Sequence, residues 1–394
     1  MTEFVYFLKR FFVTLRTLPQ IFFFKLFVRP QKNISYAFLR LDNIGDFILW
    51  RNWAYSITRV LGGEKCAMIC NNSSSSLAQS MGFGHVIGVD PTKFTSNFKY
   101  RNEVLKNISN IQFDTLITVN PNRSISYEDS LSFLTNANVK IAFTGRSLNR
   151  TTYETYLIDN FIYTDLCTFD SDRNFIQYAY KVMYNFLQDK IPELPDIDSN
   201  QVVKHNQRQS HKTELSNYFL VAPGASNNKR TWTEKKFSQL LDRISIISSK
   251  KAILVGSESD SIIVSKIISE CKIAVPVDYS GETDLINLEE LVARASFVIS
   301  NESLCTHLCR ANSIPNITIL GGGHFGIFTD INFSGLLKAD GTLEPKYVYS
   351  EMNCFGCNWK CDKPISNNTY KCIDNISCDR VFDTVVKLGL LNIV

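Results

Sequence analysis

Short apolar runs alternate with polar turns and longer segments of helical spacing, and the series occurs twice along the chain. The first series has apolar runs at 36–41, 66–70 and 115–119, a polar turn at 42–46 and an amphipathic segment at 47–60. A polar stretch at 196–217, rich in Gln, Asn, His and Ser, reads as a linker. Beyond it the pattern restarts, with strands predicted at 218–222, 251–255, 296–300 and 316–320 and helices at 234–248, 259–271 and 288–295. Alternation of this kind predicts an α/β architecture, a parallel sheet covered by helices in each half and a cleft between the halves. Ligands of such sheets bind at the carboxyl ends of the strands, which directs attention to the turns at 42–46, 223–229, 256–258 and 301–303.

Both ends depart from this pattern. In residues 4–18 the side chains of Phe4, Phe7, Leu8, Phe11, Phe12, Leu15 and Leu18 fall on one side of a helix, with Lys9, Arg10, Arg16 and Thr17 on the other. Pro19 ends or kinks that helix, and Phe22, Phe23, Phe24 and Phe27 follow. An aromatic, basic helix of this type is suited to lie in a membrane interface rather than to cross it; the alternative is packing on the protein's own body. At the other end, Cys354, Cys357, Cys361, Cys372 and Cys378 form C-x2-C-x3-C-x10-C-x5-C. The first four are the preferred ligands of a closed thiolate site for a structural Zn or Fe, with disulfides and free thiols as the alternatives. The expected organisation is therefore an interface segment at 1–32, domains at 33–195 and 218–352 around the linker, and a small cysteine-rich segment with a C-terminal helix at 353–394.

Composition narrows the class. At 394 residues, 44% hydrophobic and 20% charged, the chain has room for two cores and no apolar run of the ~20 residues needed to cross a bilayer. The formal charge of +4 is unevenly spread: six basic side chains against Glu3 give residues 1–32 a charge of +5, leaving the rest at −1. With basicity confined to one end, no nucleic-acid surface is expected. Cys66, Cys70, Cys167, Cys271, Cys305 and Cys309 are scattered as in a protein of a reducing compartment.

The turn at 301–303 carries the clearest chemical signal. An apolar run stops at Asn-Glu-Ser and a helix begins, which is how α/β proteins leave backbone N–H groups free for a phosphate. Glu302 and His307 become candidates for ribose and phosphate contacts, although a Glu in a helix's first turn also serves as a simple dipole partner. No G-x-G-x-x-G follows an early strand, which counts against a dehydrogenase.

Four segments in register carry a resemblance: RLDNIGD at 40–46, PGASNNKRTW at 223–232, VGSESD at 255–260 and SGETDLINLEELVARASFVISNESLCTH at 280–307. In order and spacing, over roughly residues 35–390, the chain resembles glycosyltransferase family 9, the heptosyltransferases of lipopolysaccharide synthesis. The resemblance implies a GT-B fold of two Rossmann-like domains facing a cleft, an acceptor on the N-terminal domain, a nucleotide-sugar donor (typically ADP-heptose) on the C-terminal domain, and inverting transfer with no catalytic metal.

Asp46 matches the family's catalytic Asp, and a carboxylate there suits a base that takes the proton of an attacking hydroxyl; the plainer reading is a helix cap. Lys229 matches the family's Lys, placed to neutralise the leaving diphosphate, with Ser226 beside it and Arg230 as alternate. Glu258 is expected at the ribose, and Glu302, Ser303, Leu304 and His307 around the rest of the donor, while Trp232 reads as packing. Where the family has Asp-Ser-Gly-Pro-x-His, this chain has Glu302-Ser303-Leu304-Cys305-Thr306-His307, which opens the donor to another nucleotide or a hexose. Asn120, Arg123 and Arg146 are the acceptor-side candidates, arginines being suited to phosphorylated sugars. The expected setting is the cytoplasmic face of the inner membrane, with a lipid-linked or lipopolysaccharide core or O-antigen acceptor. A protein acceptor is the alternative, because the cysteine knuckle is similar to that of a family branch that modifies autotransporters and carries a four-cysteine iron site. A different class, a non-catalytic nucleotide-sugar-binding protein, is disfavoured by the joint presence of Asp46 and Lys229.

Overall fold

A computed structural model describes residues 17–144, 152–168, 176–194, 217–326 and 345–391. The amphipathic segment 4–16, Arg146 and nearly all of the 196–217 stretch lie outside these residues. The chain divides into two compact units, 1–199 and 200–394.

The first unit is built on six parallel strands, β1 (Lys32–Arg40), β2 (Cys66–Asn71), β3 (His85–Val89), β4 (Ile111–Thr118), β5 (Asn136–Thr144) and β6 (Asp165–Thr168), in the order β3-β2-β1-β4-β5-β6. Central strands of a parallel sheet are covered on both faces and read as unbroken apolar runs. Cys66 to Cys70 is accordingly buried throughout. The helix Ile44–Leu61 turns Phe47, Trp50, Trp53, Ala54 and Ile57 inward.

The second unit repeats the plan with β7 (Tyr218–Ala222), β8 (Lys251–Gly256), β9 (Val277–Ser280), β10 (Val298–Asn301), β11 (Asn316–Ile319) and β12 (Lys346–Val348), ordered β12-β11-β10-β7-β8-β9, again all parallel. Relative to each unit's own first strand the two orders are identical, the doubly wound arrangement in which strand order reverses beside that first strand. The switch points therefore lie at β1/β4 and at β7/β10. Ile373, Ile376, Val381 and Val385 of the C-terminal segment join Phe219, Val221, Ile299 and Ile319 in one core. A short hairpin, β13 (Ile365–Ser366) with β14 (Thr369–Tyr370), precedes the helix Cys378–Lys387.

The α/β expectation holds, with two Rossmann-like units. β3, β5, β6, β9 and β12 are absent from the sequence pattern because they are short or have polar residues at half-buried positions, so no clean period emerges. The helix Phe98–Ser109 is absent from it too, because its buried face includes Arg101 and Ser109 among the apolar residues. Among the described residues no helix is long and apolar enough to cross a membrane.

Candidate active site

At the first switch point β1 ends in Arg40-Leu41-Asp42 and feeds the helix Ile44–Leu61. Arg40 is fully buried and forks onto Asp42, with Nε 2.7 Å from Oδ1 and an Nη 2.6 Å from Oδ2. Its guanidinium also lies 4.7 Å over the Tyr180 ring and donates to the Tyr180 hydroxyl. Asp42 is thus engaged in the strand-end ion pair. Asp46 stands in the helix's first turn, where Gly45 precedes it. Burial, and next the charge of Asp42, push the Asp46 carboxyl up to about 7, against the pull of Arg40 and the Asn43 amide. A carboxyl at that value can accept and release a proton at neutral pH.

β4 ends beside β1, and there Asn120 is buried. Its amide nitrogen is 3.3 Å from Glu128 Oε1 and its oxygen accepts from the Asn122 amide at 2.9 Å. Glu128 belongs to a π-helical turn, Ile125–Asp129, a local irregularity frequent at functional sites. Burial raises its carboxyl to about 7 as well. No local sequence pattern marked Glu128, which became visible once the strand order placed β4 beside β1.

Arg123 departs from its expected role as an acceptor contact. Its side chain is 0% exposed and ion-paired to Asp129 at 2.6 Å and Asp159 at 2.7 Å. It also donates to the Phe143 carbonyl and lies 4.4 Å over the Tyr163 ring. Buried in this way, the guanidinium braces the ends of β4 and β5 and offers no exposed surface to a ligand. Asp129 lies six residues on and Asp159 thirty-six, and this second, distant partner is what no local pattern around Arg123 announces.

In the second unit three loops meet around the second switch point. The β7 loop runs from Pro223 through the helical turn Asn228–Arg230. The β8 loop is the turn Glu258–Asp260, closed by Asp260 Oδ2 accepting from the Ser257 amide at 2.8 Å and the Ser257 hydroxyl at 2.6 Å. From β10, Asn301 bridges to the first loop: its Nδ2 donates to the Pro223 carbonyl at 2.6 Å and its Oδ1 accepts from the Trp232 amide at 3.0 Å. Gly224 and Gly256 are required where the loops touch, because a Cβ on Gly224 would lie 2.5 Å from Asp260 Cγ and one on Gly256 2.8 Å from Asp260 Cβ.

On this frame Ser226, Lys229 and Glu258 are exposed. Among the described residues no partner engages the Lys229 ammonium or the Glu258 carboxylate. Arg230 is half-buried, with one Nη 3.3 Å from Ser226 Oγ; burial lowers its guanidinium from the usual arginine range, against the pull of Glu302 and Tyr370. Ser303 begins the helix Leu304–Asn312 in extended conformation, and its hydroxyl makes no capping bond. That hydroxyl is shut off from solvent without a hydrogen-bond partner, and of the first-turn amides that of Thr306 bonds the Ser303 carbonyl at 3.1 Å, so Leu304 and Cys305 carry the donors a helix start leaves over. His307 is buried, which drives its imidazole down to about 4 and leaves it neutral at pH 7. Leu304 is partly exposed at the same turn. Trp232 is fully buried and donates Nε1 to the Ile376 carbonyl at 2.8 Å, a packing residue.

Cys354, Cys357, Cys361 and Cys372 line one cavity with Gly322, Gly323 and Trp359. Burial and the three other sulfurs raise the Cys372 thiol. Cys378 is not in the lining and sits beside Arg243. Among the described residues no three such side chains stand in coordinating geometry.

Residues 172–330 match the model of glycosyltransferase family 9 (heptosyltransferase). No curated protein matches by sequence. Among solved structures, the chain is similar to a glycosyl transferase family 9 protein of Veillonella parvula, with TM-score 0.63 and 16% identity over 92% of this chain and 99% of that one. It is similar to E. coli ADP-heptose lps heptosyltransferase II, with TM-score 0.60 and 12% identity over 91% and 99% of the two chains. The E. coli heptosyltransferase WaaC, solved with ADP, gives TM-score 0.64 and 12% identity over 90% and 100%. At these identities the likeness shows the fold.

Proposed function

We propose that the chain, whose residues 172–330 match the glycosyltransferase family 9 model, is a glycosyltransferase of that family and transfers a heptose from ADP-heptose, with inversion, to an acceptor of the lipopolysaccharide core or O-antigen type. The observation that carries this reading is Asp46: a carboxyl raised to about 7 by burial, at the carboxyl end of the strand beside which the sheet reverses. The acceptor hydroxyl gives its proton to Asp46 as its oxygen bonds to the anomeric carbon, and the bond from that carbon to the diphosphate breaks with its electron pair on ADP. Attack and departure on opposite faces invert the centre in one displacement.

The charge growing on the diphosphate is assigned to Lys229, the Ser226 hydroxyl and the first-turn amides after Ser303, groups that act without a metal. Glu258, exposed at the end of β8, is placed to accept from both ribose hydroxyls. Glu302 and Leu304 line the donor side, with neutral His307 behind them. ADP is chosen as the nucleotide because relatives of this fold were solved with it. A hexose donor is the second reading, favoured by Leu304 where the family has a flexible Gly. Asn120 remains the acceptor-side candidate, held by Glu128.

Cys354, Cys357, Cys361 and Cys372, which line one cavity while Cys378 does not, are the residues that would hold a structural Zn or Fe, although their thiols do not stand in coordinating geometry. Four protein ligands leave no open coordination position, so the metal would fix the knuckle and take no part in transfer. We place the protein on the cytoplasmic face of the membrane, supported by Phe22, Phe23, Leu26 and Phe27, which are 45–71% exposed on the helix over 17–27.

A thermal-shift screen against ADP, UDP, GDP, CDP and their sugars tests the donor. Stabilisation by ADP and ADP-heptose alone is the expected result, because a ligand of the native state raises the midpoint by mass action. A selective response to another nucleotide would move the donor, and no response at millimolar ligand would leave a non-catalytic fold.

A further inference from the structure

The cysteine knuckle touches the β7 loop at one cation. The Arg230 guanidinium lies 4.4 Å over the Trp359 ring. Trp359 is itself fixed from behind: it stacks on Tyr370 with centroids 5.3 Å apart and meets His324 edge-on at 5.7 Å. Its indole also rests on a shelf of glycines after β11. A Cβ on Gly321 or Gly323 would fall 2.5 Å or 2.2 Å from its ring atoms, so no other residue leaves room for the indole. Backbone bonds tie the knuckle to that shelf, from the Gly356 amide to the Gly322 carbonyl at 2.8 Å and from the Asn358 amide to the Gly323 carbonyl at 2.9 Å.

The same segment pins the loop on both sides of Arg230. The buried Thr369 hydroxyl lies 3.0 Å from the Lys229 carbonyl and 2.6 Å from the Thr231 carbonyl. Arg230 Nε and Trp359 Nε1 are both shut off from solvent with no hydrogen-bond partner, although buried donors of this kind are ordinarily paired. Lys229 differs: it is exposed, and its ammonium is held by nothing among the described residues. A flexible loop arginine gains a fixed direction from an aromatic face beneath it.

We propose that Trp359 is a positioning residue for the donor site, holding the Arg230 guanidinium under a diphosphate oxygen of the nucleotide. The inference rests on the donor reading of the β7 loop and adds Arg230 to it as a diphosphate contact. It gives the knuckle a role in affinity as well as in folding. Because the stack acts on the phosphate end alone, its removal weakens ADP and leaves adenosine unaffected.

Calorimetric titration of the full chain with ADP and with adenosine tests this. Trp359→Ala is expected to weaken ADP about five- to tenfold, the scale of one partly desolvated cation–π contact. Trp359→Phe, which keeps a ring face, stays within about twofold of wild type, and Trp359→Leu serves in place of the alanine variant should that fail to fold. Arg230→Ala loses about as much as Trp359→Ala or more, and adding Trp359→Ala to it costs nothing further. The proposal is overturned if Arg230→Ala weakens ADP while Trp359→Ala and Trp359→Leu do not, or if the double variant binds worse than Arg230→Ala. Equal weakening of adenosine and ADP by Trp359→Ala would reduce the indole to a structural role. If wild type does not bind ADP, or Lys229→Ala and Arg230→Ala both bind it normally, the donor reading itself falls and takes this inference with it.

Discussion

The two units share one strand order and differ in what stands at their switch points. In the first, charge is buried and wired: Arg40 is locked to Asp42, Arg123 to Asp129 and Asp159, and Asp46 and Glu128 are raised to about 7. In the second, the charged ends are open: Lys229 and Glu258 stand in solvent on loops whose backbones are fixed by Asn301, Asp260 and Thr369. Desolvation is what moves a carboxyl into the range useful for taking a proton, and exposure is what keeps a cation available to an incoming diphosphate. One topology thus holds its loop charges at two depths, which the proposed function assigns to two tasks.

The contrast implies that substitutions in the first unit read out as stability and those in the second as affinity. Arg123→Met is expected to have the largest effect, because it leaves Asp129 and Asp159 buried without their counter-ion. Breaking a pair of this kind costs about 3–5 kcal/mol, to be read as a lowered urea midpoint. Lys229→Ala inverts the pattern, with the midpoint unchanged and ADP weakened by about 1.5–3 kcal/mol, the worth of one charge-assisted hydrogen bond. Calorimetry at two salt concentrations checks it, since an exposed cation's contribution shrinks as salt rises. Gly224→Ala would blur the contrast: its Cβ lands on the Asp260 carboxylate, so about 1–3 kcal/mol of stability is lost by overpacking and ADP affinity falls in the same titration.

The first unit also carries a pH dependence, confined to the range above about pH 4. The Asp46 pKa is raised in the fold from 3.8 to about 7, so the native state holds a proton that the unfolded chain releases between those values. The stability linked to this group is fully present below about pH 4 and is lost as pH rises to about 7. Asp46→Asn removes that loss. The variant should match wild type near pH 4 and exceed it at pH 8 by up to about 4 kcal/mol, with Glu128 retaining its own dependence in both proteins. Equal stability differences at the two pH values would show that the carboxyl is not desolvated.

Much of this was legible in the chain. Runs such as 218–222 and 251–255 are apolar on both faces, and a parallel sheet is the setting that buries both, so β7 and β8 lie within a residue of where the pattern placed them. The motif turns at 42–46, 223–229, 256–258 and 301–303 do fall at strand carboxyl ends. What could not be read were contacts between segments distant in sequence. Arg123 looked like a loop arginine until Asp159, on a later helix, drew it inward. The Arg230–Trp359 stack joins residues that only the return of the C-terminal segment to the second core brings together. Half-polar strands such as β9 form because neighbours on the sheet accept them, and no local period announces that.

The measurement that bears most directly on the division of labour is Asp46→Asn, assayed for ADP affinity by calorimetry and for ADP release with ADP-heptose and a heptose-lacking lipopolysaccharide acceptor. The account predicts ADP affinity within about twofold of wild type and turnover lower by about 10² to 10⁴, the usual worth of a general base. Parallel loss of affinity and turnover, or turnover near that of wild type, would contradict it.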